Sequence, residues 1–142
     1  MECVSYKDGY KYQLNNDYSL TINILPDADV ETPYIALTKT GMLTIKKGYA
    51  WDGPSGPTID TKNFMRGSLV HDALYQLMRN QFLDKSKCRQ PADRLLQQMC
   101  KEDGMSSLRA WIVYEGLKLG GGSAASSGNV KEVIHAPNGC PQ

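Results

Sequence analysis

The chain has 142 residues, enough for one hydrophobic core and too few for two. Its 41% apolar and 22% charged residues match ordinary globular usage, which excludes disorder of the whole chain. Sixteen basic against fifteen acidic side chains leave a net charge of +1, so no strong field gathers nucleic acid or an anionic membrane, and no nucleic-acid partner is expected.

The N-terminal run MECVSYKDGYKYQLNND lacks the basic-then-apolar order of a secretory signal. No apolar run approaches the roughly 20 residues of a transmembrane helix. A cytosolic protein, or one that leaves its cell by lysis or inside a particle, is expected. Cys3, Cys88, Cys100 and Cys140 form no C-x-x-C pair and fit no common zinc spacing, so they read as free thiols.

Residues 1–50 read as β-structure. Lys11–Leu14, Ser19–Ile24, Tyr34–Leu37 and Met42–Ile45 are rich in Tyr, Ile, Thr and Leu and alternate in places. Turn signals separate them at Asn15-Asn16-Asp17, Pro26-Asp27-Ala28-Asp29 and Thr40-Gly41, which predicts antiparallel hairpins or a meander. The next ten residues, Gly48–Pro57, hold three Gly and two Pro and predict an ordered loop, or a strand end running into one.

From Met65 the period turns helical, with Leu69, Val70, Ala73, Leu74, Leu77 and Met78 on one face. A polar connection is expected from Asp84 to Gln90. Pro91 then suits the first turn of a second helix with Leu95, Leu96 and Met99 inward, ending at Gly104. Ser106 or Ser107 caps a third helix carrying Leu108, Trp111, Ile112 and Leu117, with Trp111 and Tyr114 at helical spacing read as core, and it is expected to stop at Gly120-Gly121-Gly122. The remaining Gly/Ser-rich stretch reads as a flexible tail. The expected architecture is α+β: a small antiparallel sheet followed by a three-helix unit, with one domain over 1–119 and a tail over 120–142.

His71 and Asp72 sit mid-helix in an otherwise apolar segment. Adjacent helical residues diverge by about 100°, so the two cannot share one contact. Tyr75 lies one turn on, within reach of both. If the first two helices pack antiparallel, Asp93, expected in the first turn of the second, faces His71. A carboxylate on one imidazole nitrogen fixes the tautomer and frees the other nitrogen as a general base. Asp72, turned away, is then available to a hard cation such as calcium, which needs several oxygens. The Trp51–Gly56 loop supplies backbone carbonyls, and Asp52 within it either turns the loop or adds a ligand. Each part also has an ordinary explanation: Asp93 as a helix-terminal acid, His71 and Tyr75 as boundary residues, and the loop as a crossover.

The run Tyr49–Pro57, with its loop Asp52-Gly53-Pro54-Ser55-Gly56-Pro57, the helix Val70-His71-Asp72-Ala73-Leu74-Tyr75 and the later Ala92-Asp93-Arg94 resemble an uncharacterised family of small bacteriophage and prophage proteins, over roughly residues 40–120. The same layout is more distantly similar to phospholipases of the A-two type, especially the compact versions in parvovirus capsids. That resemblance implies His71 as the base activating water, and Asp93 and Tyr75 orienting it. It also implies calcium on Asp72 with the carbonyls of Trp51, Gly53 and Ser55, and the Gly53 amide in an oxyanion site. Here Ser55 stands where those enzymes favour a glycine, with Gly56 after it. The cysteine framework of the secreted enzymes is missing, and the β-rich first fifty residues have no counterpart in the compact ones.

Three functions follow as expectations. The first is a calcium-assisted hydrolase with a His/Asp dyad, acting on phospholipid or cell-envelope material, in the host cytoplasm or the phage particle. The second is a non-catalytic virion or tail component, bound to other phage proteins, in which the His/Asp/Tyr cluster is a structural polar network. The third is an accessory protein that works by binding.

Overall fold

The computed structural model describes residues 4–7, 12–51, 62–124 and 133–136. They form an α+β fold, with antiparallel strands first and three helices after them, as the sequence pattern predicts. Strands β1 (Val4–Lys7), β2 (Tyr12–Gln13), β3 (Tyr18–Thr21), β4 (Val30–Glu31), β5 (Ile35–Leu37), β6 (Met42–Ile45) and β7 (Ala50–Trp51) precede helices α1 (Lys62–Arg79), α2 (Lys85–Glu102) and α3 (Ser107–Ala124). Strand β8 (Val133–Ala136) follows them.

The main sheet has the order β3-β6-β5-β4 and is antiparallel throughout. Its β5–β6 hairpin turns at the Thr40-Gly41 signal, whereas the β4–β5 turn at residues 32–34 falls outside the turn signals read from the sequence. Gly41, at φ +97°, closes the β5–β6 turn, donating to the Thr38 carbonyl while its own carbonyl accepts from the Ile22 amide. A Cβ there would stand 2.2 Å from the Ile22 carbonyl oxygen, so only glycine fits. Asp17 and Asp29 brace neighbouring loops by accepting from the Lys47 and Lys39 amides at 2.7 and 2.8 Å. Alternation along β5 and β6 sends Ile35, Leu37, Leu43 and Ile45 fully inward, all at 0% exposure. They meet Leu69, Val70, Ala73, Leu74 and Leu77 of α1 in one core, so the expected face of that helix is the buried one.

Helix α2 departs from expectation at its start. It begins at Lys85, capped by Asp84, whose carboxylate accepts from the Ser86 amide at 2.9 Å and holds its own ionisation below the usual carboxylate range through the Ser86 bonds. The stretch expected as a polar connection is therefore two turns of helix. Pro91 lies inside, with no N–H for the Lys87 carbonyl, rather than at the N-terminus. Polarity misled because these turns face solvent except at Cys88. The end of α2 is as expected: Gly104, at φ +100°, donates to Lys101, and Met105 donates to Cys100, a Schellman cap with Met105 buried behind it. Helix α1 ends the same way, with Gln81 at φ 65° in the position that favours glycine, donating to Met78 while Phe82 donates to Leu77.

Helix α3 also differs. It runs through Gly120–Gly122 to Ala124, and Val133–Ala136 pairs with Val4–Lys7, so two parts of the stretch read as a tail carry backbone structure. Its inner side consists of Ala110 and Tyr114, with Val113 and Leu117 partly buried, while Leu108, Trp111 and Ile112 point outward. This helix is apolar on both sides, and periodicity alone could not choose between them. Cys88 and Cys100 are buried free thiols, as expected; Cys3 and Cys140 lie outside the described residues.

Two helical glycines make a paired test of packing. A Cβ at Gly67 would meet Leu96 Cδ1 at 2.7 Å and Cys100 Sγ at 3.3 Å, whereas at Gly116 nothing lies within 4 Å. Alanine gains about 1 kcal/mol over glycine in a helix, and overpacking costs about 1–3 kcal/mol. Gly116→Ala is expected to stabilise and Gly67→Ala to destabilise in urea unfolding; equal gains would show that α1 and α2 do not approach closely at Gly67. Gln81→Gly is expected to gain about 0.5–1 kcal/mol by relieving the left-handed conformation, and a loss in the same measurement would contradict that cap.

Candidate functional site

Helix α1 carries polar residues toward two neighbours. Ser68 and Asp72, one turn apart, face β7; His71 and Tyr75, also one turn apart, face α2. Tyr49 and Trp51, two residues apart and thus on the same side of an extended segment, match the first pair. The Tyr49 hydroxyl donates to Asp72 Oδ2 at 2.8 Å. The Trp51 indole N–H donates to Ser68 Oγ at 3.2 Å, and the Ser68 hydroxyl donates to the Met65 carbonyl at 2.9 Å. Tyr12 and Tyr49 flank the Trp51 ring at 5.7 and 6.4 Å.

The second pair meets Asp93. His71 Nε2 lies 2.7 Å from Asp93 Oδ1, and the Tyr75 hydroxyl donates to the same oxygen at 2.6 Å. Asp93 is 1% exposed and is the one buried acid among the described residues, whereas the His71 side chain keeps 12% of its surface open. A buried carboxylate needs such partners, because water no longer solvates it. The imidazole and phenol rings pack with centroids 4.1 Å apart, which limits rotation of His71. Burial first, and the Asp93 hydrogen bond second, push the Tyr75 phenol well above the ordinary tyrosine range and keep it a donor. Nδ1 is the imidazole nitrogen that Asp93 leaves disengaged.

The antiparallel packing expected of α1 and α2 therefore brings His71, Tyr75 and Asp93 together. Asp93 reaches them from the third turn of α2, not the first, so the helix N-terminus does not account for its position. Asp72 turns away from His71, as adjacent helical residues must, but one of its oxygens holds Tyr49. Trp51 closes β7. Asp52, Gly53, Ser55 and Gly56 lie outside the described residues. Tyr49 and Ser68 were not legible as members of the polar seam. The signal was there in the Tyr49-x-Trp51 and Ser68-x-x-x-Asp72 spacings, which match strand and helix periods.

A clamp lies beyond the site. Arg66 on α1 donates to Asp103 and Glu102 at the end of α2, at 2.9–3.2 Å, and to the Tyr18 hydroxyl of β3 at 3.1 Å. It ties the sheet to both helices and precedes Ser68 and His71 on the same helix by two and five residues.

Removing one partner from the buried cluster should cost more than an ordinary side-chain deletion. Asp93→Ala leaves two donors without an acceptor and is expected to lose about 3 kcal/mol or more in urea unfolding, against about 1–2 kcal/mol for Tyr75→Phe. Equal, small losses would mean that water already satisfies the cluster. Because the Tyr75 phenol ionises later in the fold than in the unfolded chain, its contribution is intact below pH about 10 and falls as pH rises beyond that. Melting temperature should therefore decline less steeply above pH about 10 in Tyr75→Phe than in the parent. Comparison with known proteins places this geometry in a family: the model of "Protein of unknown function (DUF1353)" matches residues 28–117, spanning every residue of the polar cluster and the seam. No curated protein and no solved structure matches the chain. The chain belongs to the DUF1353 family.

Proposed function

We propose that the protein is a hydrolase in which His71 activates water through Nδ1 while Asp93 and Tyr75 hold the imidazole. The observation that carries this reading is the 2.7 Å contact between His71 Nε2 and an acid that is 1% exposed, with the imidazole itself partly open. A buried acid on one nitrogen fixes the tautomer with the proton on Nε2, which leaves a lone pair on Nδ1. A water donating to that lone pair loses its proton to Nδ1 as its oxygen adds to a carbonyl. The proton then passes to the departing alkoxide as the carbonyl–oxygen bond breaks, so the imidazole ends as it began.

The substrate class rests on the motif resemblances. Similarity to phospholipases of the A-two type supports an ester in phospholipid, and similarity to phage and prophage proteins supports a setting where phospholipid or cell-envelope material is broken down. Calcium belongs to the same resemblance. Of its implied ligands the described residues hold Asp72 and Trp51; one Asp72 oxygen already accepts from Tyr49, and among the described residues no three His, Cys, Asp or Glu side chains converge. The described part does not by itself fit a calcium ion, so the chemistry above uses His71 and Asp93 alone. Among the described residues no helix is long and apolar enough to cross a membrane.

A second reading is a non-catalytic phage component, in which the cluster only specifies packing. It is favoured by complete pairing: among the described residues no buried side-chain nitrogen or oxygen lacks a partner. His71→Gln separates the two readings, since its amide N–H can still reach Asp93 but no basic nitrogen remains. Turnover of phospholipid vesicles or purified cell-wall material should fall by a factor of about 100 or more, with unfolding free energy within about 1 kcal/mol of the parent. A parent protein inert on both substrates, or a variant as active as the parent, would favour the packing role.

A further inference from the structure

The outer side of α3 is not explained by the fold or by the His71 cluster. Leu108, Trp111, Ile112 and Leu119 are 68, 52, 56 and 91% exposed. Their spacing of three, four and eleven residues from Leu108 puts them on one arc of the helix, opposite the buried Ala110 and Tyr114. The other exposed large apolar side chains, Leu25, Tyr34, Met42 and Phe82, come from other elements, so half of all such side chains among the described residues share this arc. Side chains of this size offer roughly 150–250 Å² each when fully exposed, so the four present on the order of 500 Å² of apolar surface, near the upper end for a monomer.

We propose that this side of α3 is the interface of a homodimer, covered by a second copy of the same helix across a two-fold axis. The area carries the choice of occupant. A standard interface takes about 800 Å² from each partner, and roughly two thirds of it is apolar in homodimers, again about 500 Å². Charge agrees. Glu115 lies within the arc and Lys118 at its rim, 3.9 Å apart and mutually neutralising, so two copies meet without an excess of one sign. An anionic bilayer would instead meet an acid in the middle of the patch, on a chain of net charge +1. Gly116 lies at the rim of the surface: it is exposed and nothing lies within 4 Å of its missing side chain, so a methyl group is accommodated there while a bulky side chain would stand between the partners. The proposal is independent of any activity at His71.

Sedimentation equilibrium of the full chain across about 1–100 μM tests it. A dimer in that range is expected, and the double variant Trp111→Lys, Ile112→Glu should raise the dissociation constant at least a hundredfold with unchanged circular dichroism. Because an obligate dimer can unfold when split, Gly116→Leu is the second variant: it fills the open space, and it too should weaken association at least tenfold. A parent chain monomeric at 100 μM overturns the proposal, as does a double variant that still dimerises like the parent. A monomer that co-sediments with phosphatidylcholine or phosphatidylglycerol vesicles through Trp111 would overturn it in favour of a lipid surface.

Discussion

An acid withdrawn from water between two helices sets most of what this structure can be. Asp93 has 1% of its surface exposed, and one of its oxygens takes both an imidazole and a phenol. Without them the carboxylate would be too costly to bury, so α1 and α2 must arrive in one register. That register is enforced a turn away by the absence of a side chain. Gly67 lets α1 rest on Leu96 and Cys100, and His71, four residues along, then stands at hydrogen-bonding distance from Asp93. Arg66 fixes the same crossing from outside, by joining the end of α2 to Tyr18 in the sheet. Packing and polar chemistry here are a single constraint, with glycine supplying the proximity and Asp93 the penalty for any other alignment.

On the sheet side, the contact between β7 and α1 follows from two repeats of nearly equal length. Two residues of strand advance about 6.6 Å and four of helix about 6 Å, so Tyr49 and Trp51 can each find a partner in Ser68 and Asp72. The seam places one end of the Gly/Pro-rich stretch firmly against the helix that bears His71. Whatever the family uses this region for, the strand leading into it is held by side-chain bonds and aromatic packing as well as by the Tyr12–Trp51 pairing.

Much of this was legible in the sequence where pattern and environment agree. The strands at Tyr18–Thr21, Ile35–Leu37 and Met42–Ile45 have alternation and turn residues on either side, and α1 has an apolar face that meets a sheet. His71 and Tyr75 were found because polar groups stand at helical spacing beside that face, and Asp93 because antiparallel packing of the next helix brings its acid opposite them. The short strand Val30–Glu31 was not found, since two residues carry no period of their own and depend on their neighbours for pairing, while Ala50–Trp51 is the strand end running into the loop that was one of the two readings of that stretch. The start of α2 was misplaced because Pro91 reads as a beginning, while the real cap at Asp84 precedes two solvent-facing turns. In α3 the difficulty was opposite: with apolar residues on both sides, Tyr114 is inward as expected, but Trp111, read as core with it, is 52% exposed and Ala110 takes the buried side.

The two tryptophans, the chain's only ones, occupy opposite surroundings. Trp51 is 7% exposed and its indole proton is committed to Ser68; Trp111 is 52% exposed on the open side of α3. Intrinsic fluorescence is thus a two-colour signal built into the polypeptide. A blue-shifted component that soluble quenchers reach slowly reports on the strand entering the glycine-rich stretch. A red-shifted one, readily quenched, reports on the outer helix. Events at β7 and at the outer side of α3 can be timed separately without attaching a dye.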